Sequence, residues 1–247
     1  MILIAALAFF AQTFEVATIK PAAADKSGRY IKMLGAHRFT AKSYTLKMLV
    51  QAAYNLSPQA VSGGPAWIDT DQFDVIAGTP GEVRPNLDGQ MAMLRNLLAD
   101  RFELKFHREP KTLPVYALTV SKGGLKIKET TAAPDALPEL TNVLYPDHVF
   151  LPARNATIAQ FVSMMQRAVL DRPVMDRTGL NGNRYDFDLE WTPDETQFGG
   201  HAPQGTADPP KPDLFAAFQQ QLGLRLETTK APVETLVVDH VSRPSEN

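Results

Sequence analysis

Only a few residues in this sequence have the types and spacing for chemistry. Its five histidines, His37, His107, His148, His201 and His240, are scattered along the chain, and two follow an aspartate directly, in Asp147-His148 and Asp239-His240. A carboxylate beside an imidazole is the pairing that fixes a ring tautomer for general-base catalysis. Neighbours on a strand point to opposite faces, however, so neither Asp–His dipeptide is expected to act as orienter and base. Ser62 precedes Gly63-Gly64, where a tight turn would set backbone N–H donors near a nucleophile; a β-turn with a small polar residue is the simpler account. A hydrolase of small esters or lactones, such as acyl-homoserine lactones, would have a non-standard site drawing on Ser62, His107, His148 or His240 and an aspartate.

A second candidate is acidic. Asp186, Asp188 and Glu190 alternate with Tyr185, Phe187, Leu189 and Trp191, which places three carboxylates on one face of a strand. Such a face can hold a hard cation such as Ca²⁺. The glycine-bearing loop of an EF-hand is absent, and pairing with Arg or Lys across a sheet is the competing reading. Trp67 and Trp191 are core anchors by default and mark a ligand groove if exposed. No phosphate loop, dinucleotide-binding glycine run, Gly-x-Ser-x-Gly elbow or His-Glu-x-x-His pattern occurs. There is no cysteine, which excludes disulfides and thiolate sites, and no cofactor is expected. A net charge of −2 gives no footprint for nucleic acid.

The elements that must position these residues follow from periodicity. Phe14 to Pro21, Tyr30 to Leu34, His37 to Ala41 and Phe73 to Ala77 read as strands. Leu46, Leu49, Val50 and Ala53 form one face of a helix over Leu46 to Tyr54, capped by Ser43 or Thr45. A second helix spans Gln90 to Asp100. Phe102 to Arg108 alternates as a half-buried strand, with a turn at Glu109-Pro110-Lys111-Thr112 and a hairpin partner from Val115 to Val120. Further on, Val149 to Leu151 is a strand, and Asn155 or Thr157 caps a helix with Ile158, Phe161, Val162 and Met165 inward. Leu214 to Leu222 is a helix, followed by strands at Leu224 to Glu227 and Val233 to Val241.

This order repeats. Ala41-Lys42-Ser43-Tyr44-Thr45-Leu46 returns 112 residues later as Ala153-Arg154-Asn155-Ala156-Thr157-Ile158, and Phe73-Asp74-Val75 returns as Tyr185-Asp186-Phe187. Pro114 to Val120 matches Pro232 to Val238 at an offset of 118. The expected fold class is α+β: an internal duplication of a strand-helix-strand-helix-strand-strand unit, with helices packed on a mixed or antiparallel sheet. The first copy covers 14–125, residues 126–146 link the copies, and the second covers 147–247 with a mobile loop at 192–212. The apolar run Ile2 to Ala11 is too short to span a bilayer, so no integral membrane span is expected. It has the length of a signal-peptide core, with cleavage near Thr13 or Phe14 and residues 1–13 as the leader, although a basic start is missing; the alternative is a buried N-terminal element. The leader reading implies a periplasmic or secreted protein.

Several motifs carry a resemblance: Phe14-Glu15-Val16-Ala17-Thr18-Ile19-Lys20-Pro21, Gly64-Pro65-Ala66-Trp67, Met93 to Phe102, Leu113 to Leu118, Pro173 to Gly182, and Val238-Asp239-His240 with Pro244. Together they resemble a family of exported proteins of unknown function from soil Acidobacteria. The resemblance implies export. Some relatives look fused to sensor-type membrane peptidases of the antirepressor class, which implies a periplasmic sensing or binding role. It supplies no catalytic residues. The element order also resembles, distantly, the short N-terminal domain of secretins and TonB-dependent receptors, small interaction modules of the cell envelope. The functional expectation is an exported binding or interaction module with an unidentified protein or small-molecule partner; the ester or lactone hydrolase is the alternative.

Overall fold

A computed structural model describes residues 13–23, 28–133, 136–202, 205 and 210–244. The leader proposed for residues 1–13 therefore lies almost wholly outside the described residues. The strands are β1 Val16–Pro21, β2 Tyr30–Leu34, β3 Arg38–Thr45, β4 Val61–Gly63, β5 Gln72–Gly78, β6 Lys105–Val120, β7 Lys128–Glu129, β8 Glu139–Leu140, β9 Val143–Leu144, β10 Val149–Thr157, β11 Val174–Asp176, β12 Arg184–Trp191 and β13 Leu224–His240. The α-helices are α1 Leu46–Tyr54, α2 Trp67–Thr70, α3 Leu87–Arg101, α4 Ile158–Ala168 and α5 Leu214–Ala217, the last continuing as a π-turn over Phe218–Leu222. The class is α+β.

The chain forms two compact units that are not consecutive in sequence. Among the described residues the first holds those up to Tyr54, Val61–Arg108 and those from Leu236; the second holds Asn55–Ala60 and those between Glu109 and Thr235. In the first unit an antiparallel sheet of order β1-β5-β3-β2 turns one face inward. Phe39, Ala41 and Val75 on that face are fully buried, as are Leu49, Leu94 and Leu98 of α1 and α3. In the second unit the order is β7-β12-β10-β8, with β9 also on β10. Its core gathers Phe161, Tyr185, Leu189, Trp191 and Phe218. A third sheet has the order β11-β6-β13-β4. Its two outer pairings are parallel: β4 on residues 236–238 of β13 in the first unit, and β11 on residues 116–118 of β6 in the second.

Both units show the same local devices 112 residues apart. β3 carries a bulge between Ala41 and Tyr44, and β10 one between Ala153 and Ala156. Within each bulge one residue adopts a left-handed backbone, Ser43 at φ 55° and Asn155 at φ 51°. The Ser43 N–H donates to Asp74 and the Asn155 N–H to Asp186, each at 2.8 Å. The helix caps are then Thr45, whose Oγ1 accepts from the Met48 N–H at 3.3 Å, and Thr157, which forms a full capping box with Gln160. The threonines cap, and the polar residues two places earlier shape the bulge.

Two sequence expectations are corrected. Residues 105–120 form one strand rather than a hairpin: β6 lies between β13 and β11 in the sheet instead of folding back on itself. Residues 224–240 are likewise one strand, β13. The 126–146 linker supplies β7, β8 and β9 to the second sheet. The 192–212 loop is anchored where it is described: Phe198 donates its N–H to the Val169 carbonyl at 2.9 Å, and Thr192 donates to Pro212 at 2.9 Å.

Candidate functional site

Three of the histidines, His107, His148 and His240, lie in separate settings, each against a carboxylate. On β6, His107 meets Asp239 of β13 at 2.8 Å, with both side chains about half exposed. His240, one residue after Asp239 and on the other face of β13, has Nε2 3.3 Å from Glu103 Oε2 and 3.5 Å from Ser242 Oγ, and Ser242 itself donates to Glu103 at 3.0 Å. Ser, His and Glu thus meet, but serine and acid share one ring nitrogen. A catalytic triad needs the acid on Nδ1 and the serine on Nε2. The hydrogen bonds from His240 and Ser242 hold the Glu103 carboxyl below the usual glutamate range. Ser62 lies in the middle of β4, in register with Val237.

His148 has the densest surroundings. Its Nδ1 is 2.7 Å from Asp147 Oδ1, its Nε2 is 3.2 Å from Glu190 Oε1, and Tyr145 stacks on the ring at 4.4 Å. The expectation that Asp147 and His148 point apart is corrected. The chain bends at 146–147 before β10 begins, so strand alternation does not apply to them. Lys211 binds the other oxygen of Glu190 at 3.0 Å.

The acidic row on β12 forms as expected, with Tyr185, Phe187, Leu189 and Trp191 buried on the opposite side. Each acid is engaged. Asp186 accepts the Asn155 N–H, Asp188 pairs with Arg154 across the sheet at 2.7 Å, and Glu190 takes His148 and Lys211. Asp188 in turn raises the Arg154 pKa above its ordinary value. Among the described residues no three His, Asp or Glu side chains are grouped to hold a metal ion.

The tryptophans differ. Trp191 is fully buried and its indole N–H donates to buried Gln197 at 2.7 Å, so it presents no surface to a ligand. Trp67 is half-buried, with Arg243 over its ring at 5.0 Å while the same guanidinium holds Asp71 at 2.8 and 3.1 Å. That clamp fixes the 241–244 segment to α2.

Two features escape sequence reasoning. One is the Tyr116 cluster. The buried phenol donates to Asp171 at 3.1 Å, Arg172 lies 5.4 Å from the ring, and Phe215 packs edge-on. Burial first, then the Asp171 charge, push the Tyr116 pKa up to about 12. No spacing in the sequence joins residues 116, 171 and 215. The other is a shallow cleft of about 460 Å³ in the first unit, lined by Leu34, Ala36, His37, Arg38, Ile76 and the Ala77-Gly78 backbone. Its signal was present in the alternation of β3 and β5, where every second residue must face away from the helices.

The chain belongs to the DUF3738 family: the family model, described as a protein of unknown function, matches residues 47–241. No curated protein and no solved structure matches the chain. Among the described residues no helix is long and apolar enough to cross a membrane.

Proposed function

We propose that this DUF3738 chain is an exported binding or interaction module of the cell envelope, built by duplication of one α+β unit, rather than a hydrolase of small esters or lactones. The observation that carries the reading is how the reactive side chains are used. Each carboxylate of the β12 row, and each of His107, His148 and His240, is committed to an ion pair or hydrogen bond inside one unit. What recurs 112 residues apart is a bulge, its aspartate and a helix cap, which are devices of architecture. Export rests on the apolar run Ile2 to Ala11 and on the resemblance to exported Acidobacterial proteins. That resemblance, with its sensor-type fusions, also favours a sensing or binding role.

The test is a panel of p-nitrophenyl esters and N-acyl homoserine lactones with the purified chain beside Ser62→Ala, Ser242→Ala and His240→Ala. The expected result is hydrolysis at the buffer rate in all four. Turnover that disappears in a variant with an unchanged melting curve would establish the hydrolase. N-terminal sequencing of protein recovered from cells checks the export part, with a start near Thr13 or Phe14 expected.

A further inference from the structure

We propose that the outer face of the first unit's sheet is a docking surface for an acidic amphipathic segment of a partner protein. The inference rests on the interaction-module reading and gives it a place. The inward residues of this sheet, Ile19, Met33, Phe39, Ala41, Phe73, Val75 and Ala77, are buried, so the residues between them face outward. Three of those are large and apolar: Val16 at 69% exposure, Ile76 at 51% and Leu34 at 38%. Isolated exposed apolar residues are ordinary, but these share one face. The register sets Val16 against Gly78, Gly78 against Arg38 and Arg38 against Leu34, with Ile76 in the next row.

The charge on this face is one-sided. Lys20, Lys32 and Arg38 are exposed on it. The acid at its outward positions is Asp74, whose carboxylate is taken by the Ser43 N–H. A basic, partly apolar face is complementary to acid interspersed with apolar side chains.

The corresponding face of the second unit carries acids that are paired within that unit. The residues 112 positions after Ile76 and Gly78 are Asp188 and Glu190. There Arg154 and Lys211, both from the same unit, bring opposite charge onto the acids, and the His148 ring lies 3.2 Å from Glu190. The first unit's face has the reverse sign, and among the described residues Lys20, Lys32 and Arg38 have no ion-pair partner. A second copy of the chain is a poor occupant, because its acid row is already engaged.

Size points to a segment. Four strands at about 4.8 Å spacing and about five residues at about 3.4 Å give roughly 300 Å². A stable interface between folded proteins needs about 800 Å² on each side, whereas one helix about 10 Å across, or an extended peptide, covers this face.

The experiment is selection of phage-displayed dodecapeptides on the full chain, and in parallel on Lys32→Glu/Arg38→Glu and on Ile76→Asp, each first checked for an unchanged melting curve. The expected outcome is enrichment of Asp and Glu with spaced Leu or Phe on the wild type. A synthetic consensus peptide should then bind at least tenfold more weakly to either variant, and more tightly as salt is lowered. No acidic enrichment, or equal affinity for wild type and variants, overturns the proposal. So does binding of phosphatidylglycerol vesicles that the variants abolish while peptides do not bind, or concentration-dependent dimerisation that the variants abolish. Turnover in the ester panel would sink the module reading itself; unchanged peptide affinity with no turnover sinks only this placement.

Discussion

The Tyr116 phenol lies among Asp171, Arg172 and Phe215 with 5% of its surface exposed. Folded, it keeps its proton to about pH 12, whereas an unfolded tyrosine loses it near pH 10. Its contribution is therefore full below about pH 10 and lost as pH rises from about 10 to about 12, by up to about 3 kcal/mol. Urea unfolding of the wild type and Tyr116→Phe across that window should show the variant losing less stability per pH step. Equal slopes would mean that the phenol titrates normally. Residues of this kind were hidden in the sequence because their partners sit 55 or more positions away. Asp147-His148 misled for a different reason: the two were read with strand geometry, and a bend before β10 lets them meet at 2.7 Å. Where a strand did extend through the residues, as at Asp239-His240, alternation predicted their separate partners.

The bulges of β3 and β10 are the elements on which the helices α1 and α4 are launched. Asn155 at φ 51° gives up its strand pairing, and its N–H is satisfied by the Asp186 carboxylate at 2.8 Å. Asp186→Ala leaves that partly buried donor without a partner, and a loss of about 1–3 kcal/mol is expected. Asp188→Ala, two residues along the same acidic row, removes an exposed pair with Arg154 and should cost less than about 1 kcal/mol. Urea midpoints of the two variants decide the matter; equal losses would show that the row acts as undifferentiated surface charge. The helices themselves were legible, α1 from Leu46 to Tyr54 and the inward face of α4, because a 3.6-residue apolar period and a threonine cap are local signals. β6 and β13 were not. Each runs through proline and polar residues that resemble a turn, and what keeps them extended is that they are neighbours in one sheet although remote in sequence, with β11 and β4 added at the two edges.

At the scale of the whole molecule the units cross the halves of the sequence. The duplication expected from the sequence puts the end of a first copy near residue 125, yet the first unit is completed by Leu236 and the residues after it. There Leu236 and Val238 are buried, and Val238 lies in parallel register with Gly63 of β4. The approach is close. A Cβ added at Gly63, which has φ +80°, would meet the Val238 carbonyl oxygen at 2.7 Å. Burial of a Leu or Val side chain contributes about 1.5–3 kcal/mol, a large share of the roughly 5–15 kcal/mol that a whole domain has in reserve. A fragment of residues 13–125 lacks this strand end and should fail to fold alone, giving no cooperative urea transition. Mixing it with residues 126–247 should restore the transition, because together they hold every strand of both units. A cooperative transition in the first fragment alone, with wild-type stability, would refute the interleaved arrangement and make the sequence halves the folding units. The expected rescue would explain why alternation within strands could be read from the residues while the division into units could not: the pairing that closes each unit joins residues on opposite sides of the boundary expected near residue 125.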